Sequence, residues 1–284
     1  MRIPSSEFDL PASVQSGQAF RWRETSPGTW RGYDGGHHYL VTIRDDGPTR
    51  DYEIESNAGE SGFRRLFRLE EPFEALADRF RRAAPELADL PDRYPGLRLM
   101  RFDSAVETTI SFLCTPNNHL PRIVKMVDEL AARGLSGTFP DLATLAAIPE
   151  AELRAEGFGY RAPRIPRVAQ QILARGGESW LASLRETTYE DAIGALVELE
   201  GIGPKLADCI ALFALHQNRA VPIDVHVCRA ATRTFFPEWP PGAPTEKRYR
   251  AIGDLFRDRF GDLAGWAQQL VFYHELVTQG SRSR

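Results

Sequence analysis

The stretch LEGIGPKLADCIALFAL, residues Leu199 to Leu215, decides the fold of this 284-residue chain. A Gly-Ile-Gly turn separates a helical pattern ending near Leu199 from a run that is apolar on nearly every face: Leu206, Ala207, Ile210, Ala211, Leu212, Phe213. Such a helix belongs in a core. Lys205 at its start is therefore the residue to explain, because a helix N-terminus disfavours positive charge. Gly201 and Gly203 permit positive φ and close backbone approach, and Pro204 suits the first helical position. The free N–H groups of a tight helix–turn–helix, spanning about residues 190–216, form a cradle for an anion, above all phosphate. An ordinary αα-hairpin turn accounts for the same glycines.

Lys205, Cys209 and Leu212 share a helix face by the i, i+4, i+7 rule. A lysine among apolar neighbours at a helix N-terminus is expected to lose proton affinity and gain nucleophilicity. The plain alternative is a lysine that snorkels to solvent. Asp224 closes AVPID just before VHVCRAA. It reads as an N-cap, and a carboxylate beside a nucleophilic amine would also share protons and stabilise a developing cation.

Outward from the hairpin, the N-terminal ninety residues read as mostly β. Turn signals (SPG, DGG, DDGP) separate short aromatic and β-branched runs. Tyr39, Val41 and Ile43 alternate, as do Tyr52 and Ile54, so one face of a meander is buried. A helix around Pro72–Ala83 and a Pro-punctuated connection follow. From about Leu97 the period becomes helical. Helices fit Val106–Leu113 (capped by Asp103 or Ser104), Ile123–Ala131, Leu142–Ile148, Ile165–Ala174, Tyr189–Leu199, the stretch after the turn to about His216, a segment after Asp224, and Gly265–Thr278. The chain is thus α+β, with an N-terminal antiparallel β domain over residues 1–95 and a helical domain over 96–284.

The hydrophobic fraction of 42% is that of a globular protein. No apolar run reaches the roughly 20 residues of a membrane span, and MRIPSSEFDLP lacks a signal-peptide core. Cys114, Cys209 and Cys228 form no CxxC pair, which suggests a reduced, intracellular protein with no cysteine-built metal site. A net charge of −4 argues only weakly against nucleic-acid binding, since a local patch matters more than the sum. The expected location is intracellular, in a cytoplasm or nucleoid, and nothing calls for an oligomer.

GIGPKLADCI followed by VPIDVH resembles the helix–hairpin–helix and Gly/Pro–Asp signature of base-excision DNA glycosylases. The similarity is closest to the 8-oxoguanine DNA glycosylase family. SGQAFRW (Ser16–Trp22), SFLCTPNNHLPRI (Ser111–Ile123), GFGYRA (Gly157–Ala162) and GWAQQLVF (Gly265–Phe272) carry it in the family's order. The resemblance implies a bifunctional glycosylase and lyase acting on double-stranded DNA with oxidised guanine opposite cytosine. Lys205 would attack C1′ and form a Schiff base, and Asp224 would stabilise the oxocarbenium-like transition state. The Gly17 carbonyl would accept the N7–H that guanine lacks, Gln268 would read the Watson–Crick edge, and Phe272 and Cys209 would sandwich the flipped ring. Asn117, Arg122, Tyr160 and Arg161 would fill the duplex gap and contact the orphaned cytosine. His226 and the amides around Gly201, Gly203 and Lys205 would hold phosphates, with a structural cation on nearby hairpin carbonyls as an option; no cofactor or metal is otherwise expected. His119 and Pro121 depart from the family's pattern, which puts opposite-base stringency in question. No four-cysteine iron–sulfur loop is present in the sequence. Competing readings are an alkylated-base glycosylase, which usually lacks the hairpin lysine, and a non-catalytic helix–hairpin–helix clamp, which needs neither Gly17 nor Gln268.

A glycosylase of this kind makes physical sense of these residue types. Extruding a base costs a few kcal/mol, so something must replace the lost stacking. A fixed carbonyl that senses one proton discriminates better than a hydrophobic pocket, because the wrong base leaves buried polar atoms unpaired.

Overall fold

The computed structural model describes residues 1–45, 47–135 and 137–282, with side chains as far as Thr278. Five strands, β1 (Arg2–Pro4), β2 (Arg23–Ser26), β3 (Thr29–Asp34), β4 (His37–Asp45) and β5 (Thr49–Ser56), form one antiparallel sheet in the order β1-β5-β4-β3-β2. The expected alternation is what sets its buried face. Val41 pairs with Ile54 and Ile43 with Tyr52, and Tyr39, Val41 and Tyr52 are buried while their neighbours face out. Phe8 packs at 5.1 Å from Tyr52, and Phe63 and Phe67 close the cluster against it.

The first ninety residues hold fewer strands than their composition suggests. β structure stops at Ser56, and helices Gly59–Leu66, Phe73–Ala83 and Leu90–Arg93 follow. The first carries Phe63 and Leu66 on one buried face, so it lies against the sheet as its cover.

The expected helices beyond Leu97 are found, within one to three residues at most ends: Ala105–Leu113, Leu120–Ala131, Leu142–Ala147, Arg164–Ala174, Tyr189–Val197, Pro204–Phe213, Val225–Phe235 and Ala264–Arg282. Capping explains several starts. Ser104 accepts from the Glu107 amide at 3.1 Å and Thr188 from the Asp191 amide at 3.1 Å. Asp103 is not the cap; its own amide donates to Asp34 at 2.7 Å. A 15-residue helix, Glu246–Phe260, is absent from the sequence reading. Charged residues fill more than half its positions, and its core contact is the narrow stripe of Ile252, Phe256 and Phe260.

A buried polar junction joins the sheet to the helices. Arg21 and Glu107 pair at 3.1 Å, both almost fully buried, and the Gly35 amide donates to Glu107 at 2.7 Å. Asp34 accepts from the Asp103 and Ser104 amides. Burial raises both carboxyls, Asp34 to about 6 and Glu107 to about 7.

Candidate active site

The hairpin turn places its lysine as the sequence predicts. Gly201 has φ of +77°, a conformation that favours glycine. Gly203 does not use that freedom: at φ −91° and ψ 176° it is the extended N-cap of helix Pro204–Phe213. No side chain caps this helix and no acidic residue lies in its first turn. Gly201, Gly203 and Lys205 are all exposed, so the turn is an open surface feature.

Lys205, Cys209 and Phe213 descend one side of this helix at i, i+4, i+8, and all three line a cleft of about 440 Å³. The opposite wall is helix Ala264–Arg282, which presents Gln268, Phe272 and Leu276 at the same spacing. The two helices meet closely because of Gly265. A Cβ there would come within 2.3 Å of Leu212 Cδ1 and 3.2 Å of the Ala220 carbonyl. The aromatic floor is Phe112, stacked on Phe213 at 5.3 Å with Phe20 edge-on.

Gly17 reaches the cleft from the N-terminal domain. Its φ is +78°, and a Cβ would lie 3.1 Å from Phe272 Cε1, so the backbone itself rests against the ring. The loop is pinned on both sides. Gln18 Nε2 donates to the carbonyls of Ser13 and Arg98 at 2.8 Å, and Gln269 Nε2 donates to the Ser16 carbonyl at 2.7 Å. Such bonds fix where the neighbouring Gly17 carbonyl can point.

Asp224 serves as the N-cap of Val225–Phe235, accepting from the His226 amide at 2.9 Å and the Val227 amide at 2.8 Å. Both bonds fall on Oδ1; among the described residues none is made to Oδ2. Asp224 also lines the cleft, so one carboxylate both caps a helix and faces Lys205's cavity. Behind it, buried Asp208 accepts from the Tyr189 hydroxyl at 2.8 Å, from the Tyr249 hydroxyl and from the Val221 amide. This ties the lysine-bearing helix to the segment that leads to Asp224. Burial raises Asp208 to about 6.

The expectation that Lys205 has lost proton affinity is corrected. The Cys209 sulfur and the Asp224 carboxylate hold the ammonium above the ordinary lysine range, and desolvation only partly offsets them. Protein atoms crowd the side chain, yet it opens into the cleft and stays exposed. Burial pushes the Cys209 thiol up as well.

Among the described residues, two cleft atoms are buried without a hydrogen-bond partner, Gln268 Oε1 and His226 Nδ1. Buried polar atoms are normally paired, so both are free to bond a ligand or a water in the cleft. His226 also meets the Phe272 ring edge-on at 6.1 Å.

The remaining predicted residues gather outside the cleft. Asn117 is exposed at φ +50°, in the loop that follows helix Ala105–Leu113. The Tyr160 hydroxyl donates to the Pro116 carbonyl at 2.7 Å. Arg161 is only 2% exposed; its guanidinium donates to the carbonyls of Pro116 and Asn117 and lies over the Tyr160 ring at 4.4 Å. Arg122 is exposed and donates to the Gly157 carbonyl at 2.7 Å. Phe20, Phe112, Phe213, His119 and Leu276 line the cleft and are absent from the predicted set. For Phe213 and Leu276 the signal was available, as each extends a predicted i, i+4 pair by one turn. Among the described residues no group of three or more His, Cys, Asp or Glu is placed to hold a metal ion, and Cys114, Cys209 and Cys228 are buried and free. No helix of the described residues is long and apolar enough to cross a membrane.

A hairpin lysine and a capping aspartate facing one cleft define the helix–hairpin–helix base-excision class. The model of the HhH-GPD superfamily of base excision DNA repair proteins matches residues 110–254, and that of the 8-oxoguanine DNA glycosylase N-terminal domain matches residues 1–108. The chain is 34% identical to the N-glycosylase/DNA lyase OGG1 of Arabidopsis thaliana, over 98% of this chain and 80% of that protein. A solved structure of MBOgg1 in complex with a low-affinity DNA ligand superposes with a TM-score of 0.82 at 26% identity, covering 98% of this chain and 95% of the other. The 8-oxoguanine glycosylase/lyase of Clostridium acetobutylicum, in complex with double-stranded DNA containing cytosine opposite 8-oxoguanine, shares the fold with a TM-score of 0.82 at 24% identity over 96% and 93% of the two chains. The chain belongs to the 8-oxoguanine DNA glycosylase family.

Proposed function

We propose that this protein excises 8-oxoguanine opposite cytosine from duplex DNA and then cleaves the strand, with Lys205 as nucleophile. One observation carries the reading: Gly17, Lys205, Cys209, Asp224, His226, Gln268 and Phe272, from widely separated parts of the sequence, line a single cleft. Its volume of about 440 Å³ suits a flipped base.

In this reading the flipped base enters between Phe272 and Cys209. The Gly17 carbonyl accepts its N7–H, and the orphaned Gln268 Oε1 accepts from its Watson–Crick edge. The Lys205 ammonium gives up a proton, which the departing base takes up on the nitrogen released as its glycosidic bond breaks, and the amine attacks C1′. Asp224 stabilises the cationic sugar through its charge. Ring opening then gives a Schiff base, and loss of a C2′ proton eliminates the 3′ phosphate. His226 and the amides at Gly201, Gly203 and Lys205 hold backbone phosphates. Asn117, Arg122 and Tyr160 occupy the duplex gap. Arg161 holds the Asn117 loop from beneath, and it reaches the orphaned cytosine only by releasing those carbonyls.

The protein works as a monomer on chromosomal DNA inside the cell, with its two domains divided near residue 95. The test is borohydride trapping on a duplex with one 8-oxoguanine opposite cytosine. A covalent adduct in the wild type that is absent in Lys205→Gln is expected. Base release without an adduct would replace the lysine mechanism by hydrolysis, and neither product would remove 8-oxoguanine as the substrate.

A further inference from the structure

Arg164 is the first residue of helix Arg164–Ala174 and has no role in the cleft. Its surroundings are unusual for an arginine. Among the described residues no carboxylate lies within ion-pairing distance of it, whereas Arg167, one turn on, pairs with Glu200 at 2.8 Å. Its guanidinium lies over the Tyr160 ring at 4.9 Å, a ring already covered by Arg161 at 4.4 Å. On its other side it presses against the hairpin: a Cβ on Gly201 would meet Arg164 Cδ and Nε at 2.8 Å. The side chain is thus held, half-buried, between the candidate wedge and the turn that carries Lys205.

This placement stacks like charges. Arg161 and Arg164 lie over one ring, and the helices that start at Arg164 and, beyond the Gly201 turn, at Pro204 lack an acidic residue in the first turn and a side-chain cap. Helix dipoles add positive potential at both starts. An external anion would offset this concentration of positive charge.

We infer that Arg164 is a ligand for a backbone phosphate of bound DNA, seated between Tyr160 and the Gly201 turn. The assignment rests on the proposed reading that duplex DNA docks against the hairpin. It couples two parts of the interface, since a phosphate held there fixes the DNA backbone relative to the Tyr160 wedge and the Lys205 helix at once. Arginine suits the task because its planar fork can stack on the ring and still donate to phosphate oxygens.

The test measures affinity for a short undamaged duplex across a salt series, with melting temperatures alongside, for the wild type and for Arg164→Gln, Arg164→Lys and Arg164→Glu. Neutralising one phosphate contact should lower the slope of log K against log salt by about 0.9 in Arg164→Gln. Affinity at low salt should fall on the order of tenfold, and Arg164→Lys should restore the slope. Arg164→Glu should bind most weakly yet melt no lower than wild type, because an acidic residue suits a helix N-terminus. An unchanged slope in all three variants, or weakened binding that tracks lost melting temperature, would overturn the assignment. A wild type that binds this duplex but forms no adduct on 8-oxoguanine DNA would defeat the proposed function alone, and the slopes would still be readable.

Discussion

At the scale of the residue, Asp224 holds two jobs that one substitution can separate. Asparagine caps a helix about as well as aspartate, so Asp224→Asn should leave the melting temperature unchanged. It removes the charge facing Lys205, so single-turnover base release should slow by about 10²–10³-fold. A normal rate would leave Asp224 as a cap only. Lys205 makes a second prediction through its raised pKa. The reactive form is the neutral amine, whose fraction grows with pH, so single-turnover base release should climb through the alkaline range; a profile falling above neutrality would contradict an amine nucleophile. Gly17→Ala should be costly in two ways. Alanine at φ +78° loses about 1–2 kcal/mol, and its Cβ would press on Phe272. Discrimination of 8-oxoguanine from guanine should fall, as measured by the ratio of excision rates.

At the scale of the element, the cleft depends on how closely two helices pack. Gly265 lets helix Ala264–Arg282 approach the hairpin helix, and the approach sets the distance between the Gln268–Phe272 wall and the Lys205–Cys209 wall. Gly265→Ala would drive a methyl into Leu212 and two backbone carbonyls. Overpacking of this kind costs about 1–3 kcal/mol, so the urea midpoint should drop and lesion affinity should weaken with it. Retained affinity at lowered stability would show that the cleft tolerates a wider gap. The sequence put Lys205 and Cys209 on one helix face and Gln268 and Phe272 in another helix, but not the separation of the two walls, because a helical pattern fixes which residues share a face and not which face they meet.

At the scale of the molecule, three buried carboxyls make stability depend on pH. Asp34, Glu107 and Asp208 are raised to about 6, 7 and 6 by burial. A raised carboxyl means that the folded state holds a proton which the unfolded chain has released. Their contribution is complete below about pH 4 and is lost as pH rises towards 7. His216 opposes this: burial lowers it to about 4, so it costs stability as pH falls below about 6.5; His274, lowered more mildly, acts in the same sense. Three carboxyls against two histidines should leave a net fall in the urea-derived stability from pH 5 to pH 8. In Asp208→Asn that fall should be shallower, and an unaltered pH profile would place Asp208's proton elsewhere.

The sequence by itself determined the kinds of elements and singled out several residues that line the cleft. Alternation fixed the buried face of the sheet, helical period fixed most helices, and Lys205, Asp224, Gly17 and Gln268 stood in motifs legible in local order. It did not show helix Glu246–Phe260, whose charged surface hides a three-residue apolar stripe. Nor did it give the protonation of Lys205, because the reading weighed burial without the partners that burial would bring. Tertiary structure alone decided that Cys209 and Asp224 flank the ammonium, that Arg161 lies beneath the Asn117 loop, and that Arg164 lies between Tyr160 and the hairpin with no carboxylate partner among the described residues. The physical reason is range: backbone propensity and capping act over a few residues, whereas proton affinity and charge pairing depend on side chains brought together from distant parts of the chain.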